Sequence, residues 1–293
     1  MTDSKSSDFG IRPLSDDLWM NRSKGGYLSG WERLGIGMKP LGEQIAAMTA
    51  RGTQRLQFDF NRAYGDAPLD MNFLQQFPEA EAVQCDAFYS DSKYLEGLEN
   101  LKSFRDNAYN RRGLDWSKLS SIQDLALYDC HGKFHPDYAV FEDLKSLDTA
   151  NLPKKYAFVD DLPVQGVNIL SISKSRLKSF KGFERLKHLE ALLITSCRDF
   201  SSCELTSELS NMRDLSISFC RNVCSLEFLR CLPNLQVLLI ERLGEIESWE
   251  PLRDHTSIRR IEAGPVRGAK VSQDIMETIP KLEFISGHAE APS

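Results

Sequence analysis

The densest group of side chains able to do chemistry is DCHGKFHPD, residues 129–137, where His131 and His135 stand with Asp129 and Asp137. Imidazole and carboxylate are zinc ligands, and the same pair could move a proton. Two histidines four residues apart converge on one metal only on a helix, and Pro136 opposes a helix there. Seven cysteines offer a second chemistry. Cys197, Cys203, Cys220 and Cys224 would make a four-thiolate zinc site, but no C-x-x-C pair occurs and no histidine has finger spacing. The glycine-rich stretch from Gly25 to Gly42 invites a phosphate-cradling loop. Yet Gly35-x-Gly37 is followed by Pro40 where a dinucleotide loop needs glycine, and G-K-[ST] is missing. There is also no G-x-S-x-G, no H-E-x-x-H and no kinase signature. The expectation is a non-enzyme with no cofactor and no metal. The alternative is a metal- or thiol-dependent enzyme using His131, His135 or the cysteines.

The elements that would have to position such groups follow one rule. Leu125, Leu147, Leu170, Leu192, Leu215, Leu238 and Ile261 are separated by 22, 23, 22, 23, 23 and 23 residues. Each opens an L-x-L-type pair, with apolar residues three, six and often nine positions earlier, as in FERLKHLEALLITSC (183–197) and LRCLPNLQVLLIERL (229–243). The pair fits a short strand whose first and third side chains point inward. The three-residue spacing of Phe183, Leu186 and Leu189 suits a short 3₁₀ return. No single unit buries its apolar side alone, so stacking must supply the core.

These residues resemble the leucine-rich repeat family, whose pattern is L-x-x-L-x-L-x-x-N/C-x-L. Three copies match through the last polar position: Leu125, Leu127, Cys130; Leu192, Ile194, Cys197; Leu215, Ile217, Cys220. Leu147, Thr149, Leu152 and Leu238, Ile240, Leu243 place an apolar residue there. Further copies centre on Leu56, Val83, Phe104 and Ile285, giving eleven strands in all. The repeats are similar to the short bacterial, internalin-like kind. The resemblance implies a curved α/β solenoid with a parallel sheet on its concave face, 3₁₀ or irregular segments on its convex face and a cap at each end. It also implies specific protein binding through the concave face. Cys130, Cys197 and Cys220 would then be buried thiols serving the turn after each strand.

Composition agrees with such a fold: 293 residues, 41% hydrophobic, 27% charged, net charge −6. No apolar run is long enough to span a bilayer. The start, MTDSKSSDFGIRPLSDD, lacks the basic-then-apolar order of a secretion signal, so a cytoplasmic address is expected. Residues 1–45 do not follow the repeat and read as an N-terminal cap closed by Trp19 and Trp31, with Pro40–Thr49 a short helix. The solenoid with its C-terminal cap takes 46–290, including a helical turn from Ser272 to Thr278 with Ser272 as its N-cap. Residues 291–293 are a tail.

Two irregularities stand out. The stretch NLPKKYAFVDDLP (151–163) carries Asp161 where a regular return needs an apolar residue, and reads equally as an interaction loop or as an eroded repeat. Lys174, Arg176, Lys178, Lys181, Arg185, Lys187 and His188 form a basic cluster, expected as solvated convex surface. The acidic pI of 5.5 argues against a nucleic-acid partner.

Residues beside and between the inward pairs should face the concave side. The candidate binding residues are Tyr128, Ser171, Ser173, Leu193, Thr195, Asp214, Ser216, Ser218, Val237, Leu239, Glu241, Arg260 and Glu262. In the second half of the chain, Leu193, Val237 and Leu239 are expected to be exposed inside a polar rim, the composition of an interface core. The function expected is that of a cytoplasmic inhibitor or immunity-type protein, monomeric when free, that masks a partner enzyme or toxin, the partner being basic. The alternative is a regulatory adaptor or effector that scaffolds a signalling enzyme. Neither nucleic acid nor membrane is an expected partner.

Overall fold

The structure, a computed structural model, describes residues 32–35, 41–59, 71–85, 93–106, 114–128, 135–201, 205, 209–268 and 271–287. In chain order its strands are β1 (Glu32–Gly35), β2 (Arg55–Asp59), β3 (Ala82–Cys85), β4 (Ser103–Asp106), β5 (Asp124–Leu127), β6 (Ser146–Ala150) and β7 (Ile169–Ser173). Then come β8 (Ala191–Thr195), β9 (Asp214–Ser218), β10 (Val237–Glu241), β11 (Glu245–Ile246), β12 (Arg260–Ala263), β13 (Arg267–Gly268) and β14 (Phe284–Gly287). Twelve of them, all but β11 and β13, form a single sheet in sequence order. Every neighbouring pair is parallel, with Leu125 opposite Leu147, Leu170 opposite Leu192 and Leu215 opposite Leu238. At about 4.8 Å per step, twelve strands span roughly 53 Å.

All eleven strands read from the repeat are present. The sheet also gains β1, which lies inside the stretch assigned to the N-terminal cap and pairs Glu32 with Leu56. Helix α1 (Leu41–Ala50) follows it, one residue beyond the helix expected. Trp19 and Trp31 lie outside the described residues. At the other end α2 (Gln273–Glu277) has Ser272 in the N-cap position, but the serine side chain makes no capping bond.

One core runs the length of the solenoid. Leu56, Val83, Phe104, Leu125, Leu147, Leu170, Leu192, Leu215, Leu238 and Ile261 are each fully buried. They stack one per strand because each parallel pairing places like positions side by side. Behind them the return segments are short 3₁₀ turns such as Phe183–Arg185 and Glu227–Cys231. A phenylalanine cluster fills the centre, with the Phe180 ring 5.6, 5.1 and 4.8 Å from those of Phe183, Phe200 and Phe228.

A feature invisible in the sequence closes each strand from β6 to β10. Asn151, Lys174, Ser196, Phe219 and Arg242 have φ of 57°, 47°, 56°, 57° and 49°. None is glycine, so each left-handed residue costs about 1–2 kcal/mol. Each donates its N–H to a carbonyl of the next repeat, as from Ser196 to Ser218 at 2.9 Å and from Phe219 to Glu241 at 2.8 Å. The kink swings the following residue back inward: Leu152, Ser175, Cys197, Cys220 or Leu243, all buried.

Candidate binding face

Cys197 and Cys220 take the structural role. The Cys197 thiol approaches the carbonyls of Ile172 and Thr195 at 3.7 Å, and that of Cys220 approaches Ser218 at 3.4 Å. Burial pushes the Cys197 thiol up to about 12 and the Cys220 thiol up to about 11, away from the thiolate form that binds metals or attacks carbonyls. Cys130 and Cys203 lie outside the described residues. Among the described residues no cluster of three or more metal-ligating side chains occurs. His135 and Asp137 are likewise committed locally. His135 Nδ1 lies 2.7 Å from the Tyr138 hydroxyl and its Nε2 lies 3.2 Å from the Asn151 carbonyl. The same hydroxyl reaches Thr149 Oγ1 at 3.2 Å, which satisfies the polar residue of that inward pair. Asp137 accepts the Ala139 N–H at 3.1 Å and caps a 3₁₀ turn. Asp129 and His131 fall outside the described residues.

The two irregular stretches pack on each other. The 151–163 segment forms two 3₁₀ turns, Lys154–Tyr156 and Val159–Asp161, that bury Tyr156, Val159 and Leu162. Leu162, one place after the expected position, supplies the apolar contact that Asp161 cannot. From the basic cluster, the ammonium groups of Lys178 and Lys181 sit 5.5 and 5.3 Å from the centre of the Phe158 ring. Arg185 bonds the Asp160 carbonyl at 2.8 Å. Gly182, with φ of 94°, lies against the Asp160 backbone so closely that a Cβ there would clash. The cluster is exposed, as expected for solvated surface, and part of it holds the loop down.

The concave floor has a regular texture. From β4 to β9 the residue before the inward leucine runs Ser103, Asp124, Ser146, Ile169, Ala191, Asp214. The residue after it runs Arg105, Ala126, Asp148, Ser171, Leu193, Ser216. Large and small alternate along both rows, out of phase, so each large side chain leans over small neighbours. This checkerboard corrects the expected exposure. Leu193 and Val237 are 5% and 6% exposed, and they pack with half-buried Leu239 in a cluster separate from the core. Asp214, Ser171, Ser216 and Ser218 are buried as well. Tyr128, Ser173, Thr195, Glu241, Arg260 and Glu262 are half-buried at the margins.

Polar contacts divide this floor. On β4–β6, Ser103 donates to Asp124 at 2.8 Å and Arg105 pairs with Asp124 at 3.4 Å. Tyr128 donates its hydroxyl to Asp148. Burial opposes the charge of Arg105, but Asp124, Tyr128 and Asp148 together outweigh it and hold the guanidinium above its usual range. Arg105, Asp124 and Asp148 are not among the candidate binding residues read from the sequence, since acids and bases on adjacent strands become neighbours only through the register. On β8–β10 the apolar cluster is bordered by Asp214, Glu241 and the Arg260–Glu262 ion pair. Hydroxyls of Ser171, Thr195, Ser216 and Ser218 make no hydrogen bond among the described residues.

Similar solved structures fit this geometry. An internalin (InlF) from Listeria monocytogenes aligns with 81% of this chain and 79% of its own at a TM-score of 0.51 and 13% identity. The fold is the leucine-rich repeat. The functional domain of InlJ from the same bacterium, which includes a cysteine ladder, aligns at a TM-score of 0.51 and 13% identity, over 77% of this chain and 52% of its own. The TLR13–ssRNA13 complex gives a TM-score of 0.55 at 17% identity, over 87% of this chain and 38% of the receptor. This leucine-rich repeat chain therefore spans about half of InlJ and well under half of TLR13. No protein-family model and no curated protein matches the sequence. No helix among the described residues is long and apolar enough to cross a membrane.

Proposed function

We propose that this leucine-rich repeat chain is a non-catalytic, cytoplasmic protein that binds and masks a basic partner enzyme or toxin through its concave face. One observation carries the reading: the floor holds an apolar cluster separate from the core, whose Leu239 remains half-buried at the surface beside half-buried Glu241, Arg260 and Glu262. An apolar centre within a charged margin is the composition of a binding surface. A preformed sheet loses little conformational entropy on binding, which favours a tight complex. Half-buried Glu241 and the net charge of −6 would speed encounter with a cationic partner. The protected thiols and the engaged His135 and Asp137 support binding over a thiol or metal mechanism.

The test is quantitative capture of partners from the native lysate by the wild-type chain and by Leu193→Ser/Leu239→Ser. A stoichiometric partner held only by the wild type, and whose activity falls when bound, is the expected result. A partner with undiminished activity converts the reading to an adaptor. Equal capture by both forms removes the concave face from the function.

A further inference from the structure

Of the five left-handed residues that close β6 to β10, four are polar: Asn151, Lys174, Ser196 and Arg242. The fifth is Phe219, with φ of 57°. A bulky aromatic side chain is rare in that region, and its ring here is only half-buried, so core packing does not account for it. Outliers of this kind persist where a ligand is held. What the ring does touch is Arg242, whose guanidinium carbon lies 5.0 Å from the ring centre. The two come from neighbouring strand ends on the rim of the concave face, where the Phe219 N–H meets the Glu241 carbonyl at 2.8 Å. The Arg242 backbone is itself pinned, by φ of 49° and a bond from its N–H to the Pro265 carbonyl at 3.1 Å.

The head of that arginine is open. Its side chain is 60% exposed, and Glu241 lies 3.7 Å from Nε, too far for a hydrogen bond. No other acceptor meets its side-chain donors among the described residues. Other arginines of this half show what such a head takes: Arg230 holds Glu227 at 2.7 Å, and Arg253 holds Glu250 and Asp274 at 2.7 Å each. Exposed Arg198 and Arg221 also lack an ion pair among the described residues, but neither lies on an aromatic ring. A guanidinium stacked on a ring presents its two Nη groups as a fork that matches a carboxylate, with little freedom left to lose on binding. We propose that Arg242, held on Phe219, receives an Asp or Glu carboxylate of the partner protein at the concave rim, beside half-buried Leu239 of β10. This rests on the concave-face reading and names the partner's group that fixes its register. An acid at that one place on an otherwise basic partner lets the face tell it from other cationic surfaces.

The experiment follows the arginine side-chain Nε–Hε signals by NMR while the full chain is titrated with sodium acetate, sodium chloride keeping the ionic strength constant. The Arg242 signal, identified by its absence in Arg242→Lys, is expected to reach half-saturation at about tenfold lower acetate than those of Arg198 and Arg221. Phe219→Asn suits the left-handed backbone better than phenylalanine does, so thermal melting is expected to hold or rise. The same variant is expected to erase the Arg242 advantage, since the guanidinium is no longer held. An Arg242 signal that moves no earlier than the other two, or equally early in Phe219→Asn, overturns the proposal. Capture then separates the two readings. A partner lost by Leu193→Ser/Leu239→Ser and weakened about tenfold by Arg242→Lys meets both. If Leu193→Ser/Leu239→Ser loses it while Arg242→Lys holds it in full, the concave face stands and the carboxylate assignment falls. If neither variant changes capture, both fall.

Discussion

The β4–β6 end of the concave floor is held by charge, and the β8–β10 end by apolar contact. At the first end Ser103 and Arg105 bond Asp124, and Tyr128 bonds Asp148. At the second, Leu193, Val237 and Leu239 pack around the small Ser216. The same backbone supports both, so the floor is independent of the core beneath it. Stacking leucines set the fold, and the outer rows are left for recognition. The polar end is tied together by bonds within the chain. The apolar end can be completed by another surface, which is why binding is placed there.

The contrast can be broken most sharply through the ion pair. Asp124→Leu strands the Arg105 guanidinium, and stability should fall by about 3 kcal/mol. Adding Arg105→Met should restore much of it, since a buried pair is often replaceable by apolar residues. Urea unfolding of the two variants checks this; no recovery in the double variant would show that the charges are needed beyond pairing.

A second comparison uses adjacent leucines at the apolar end. Leu192→Ala opens the fully buried core and should cost about 3–4 kcal/mol. Leu193→Ala, on the opposite face, should cost about 1–2 kcal/mol, because only the small cluster is lost. Equal costs would mean that the outer cluster is part of the core.

Acid should weaken the apolar end first. His255 lies among its return segments, with Nε2 3.0 Å from the Leu232 carbonyl, and burial lowers its pKa from the ordinary 6.5. The unfolded chain therefore takes up a proton that the folded chain refuses. This contribution is complete above pH 6.5 and is lost as pH falls below it, by at most about 1.4 kcal/mol per pH unit. His255→Gln should flatten the slope of stability between pH 7 and 5, and an unchanged slope would place the dependence elsewhere.

The smallest effect concerns reactivity. Cys197 and Cys220 should resist a thiol reagent at pH 8 in the folded protein and react on unfolding, as their burial demands. Among the described cysteines, half-buried Cys224 and Cys231 should label before the buried ones. Rapid labelling of Cys197 would contradict the ladder geometry.

Much of the fold was legible because a 22–23-residue period forces each leucine to meet the same leucine of its neighbour. The resemblance to leucine-rich repeats placed Cys197 and Cys220 at the ladder. The strand at Glu32–Gly35 could not, since its sequence carries no leucine pair in step with the rest and only pairing to β2 reveals it. The left-handed residues escaped notice because Asn151, Lys174, Ser196, Phe219 and Arg242 share no side-chain type. Their conformation goes with the hydrogen bonds their N–H groups donate to carbonyls of the next repeat.

Sequence by itself determined the stacking, the sheet direction and which face each strand residue takes, because side-chain alternation and a fixed period leave one solution. Tertiary structure alone decided how exposed those residues are and which of them bond. Leu193 looks exposed by alternation, yet in the folded sheet it lies under Val237 and Leu239 from two strands away. Asp124 and Arg105 are 19 positions apart and become partners only once β4 and β5 are in register. Alternation is a property of one strand, whereas burial and ion pairing depend on what the neighbouring strands place alongside.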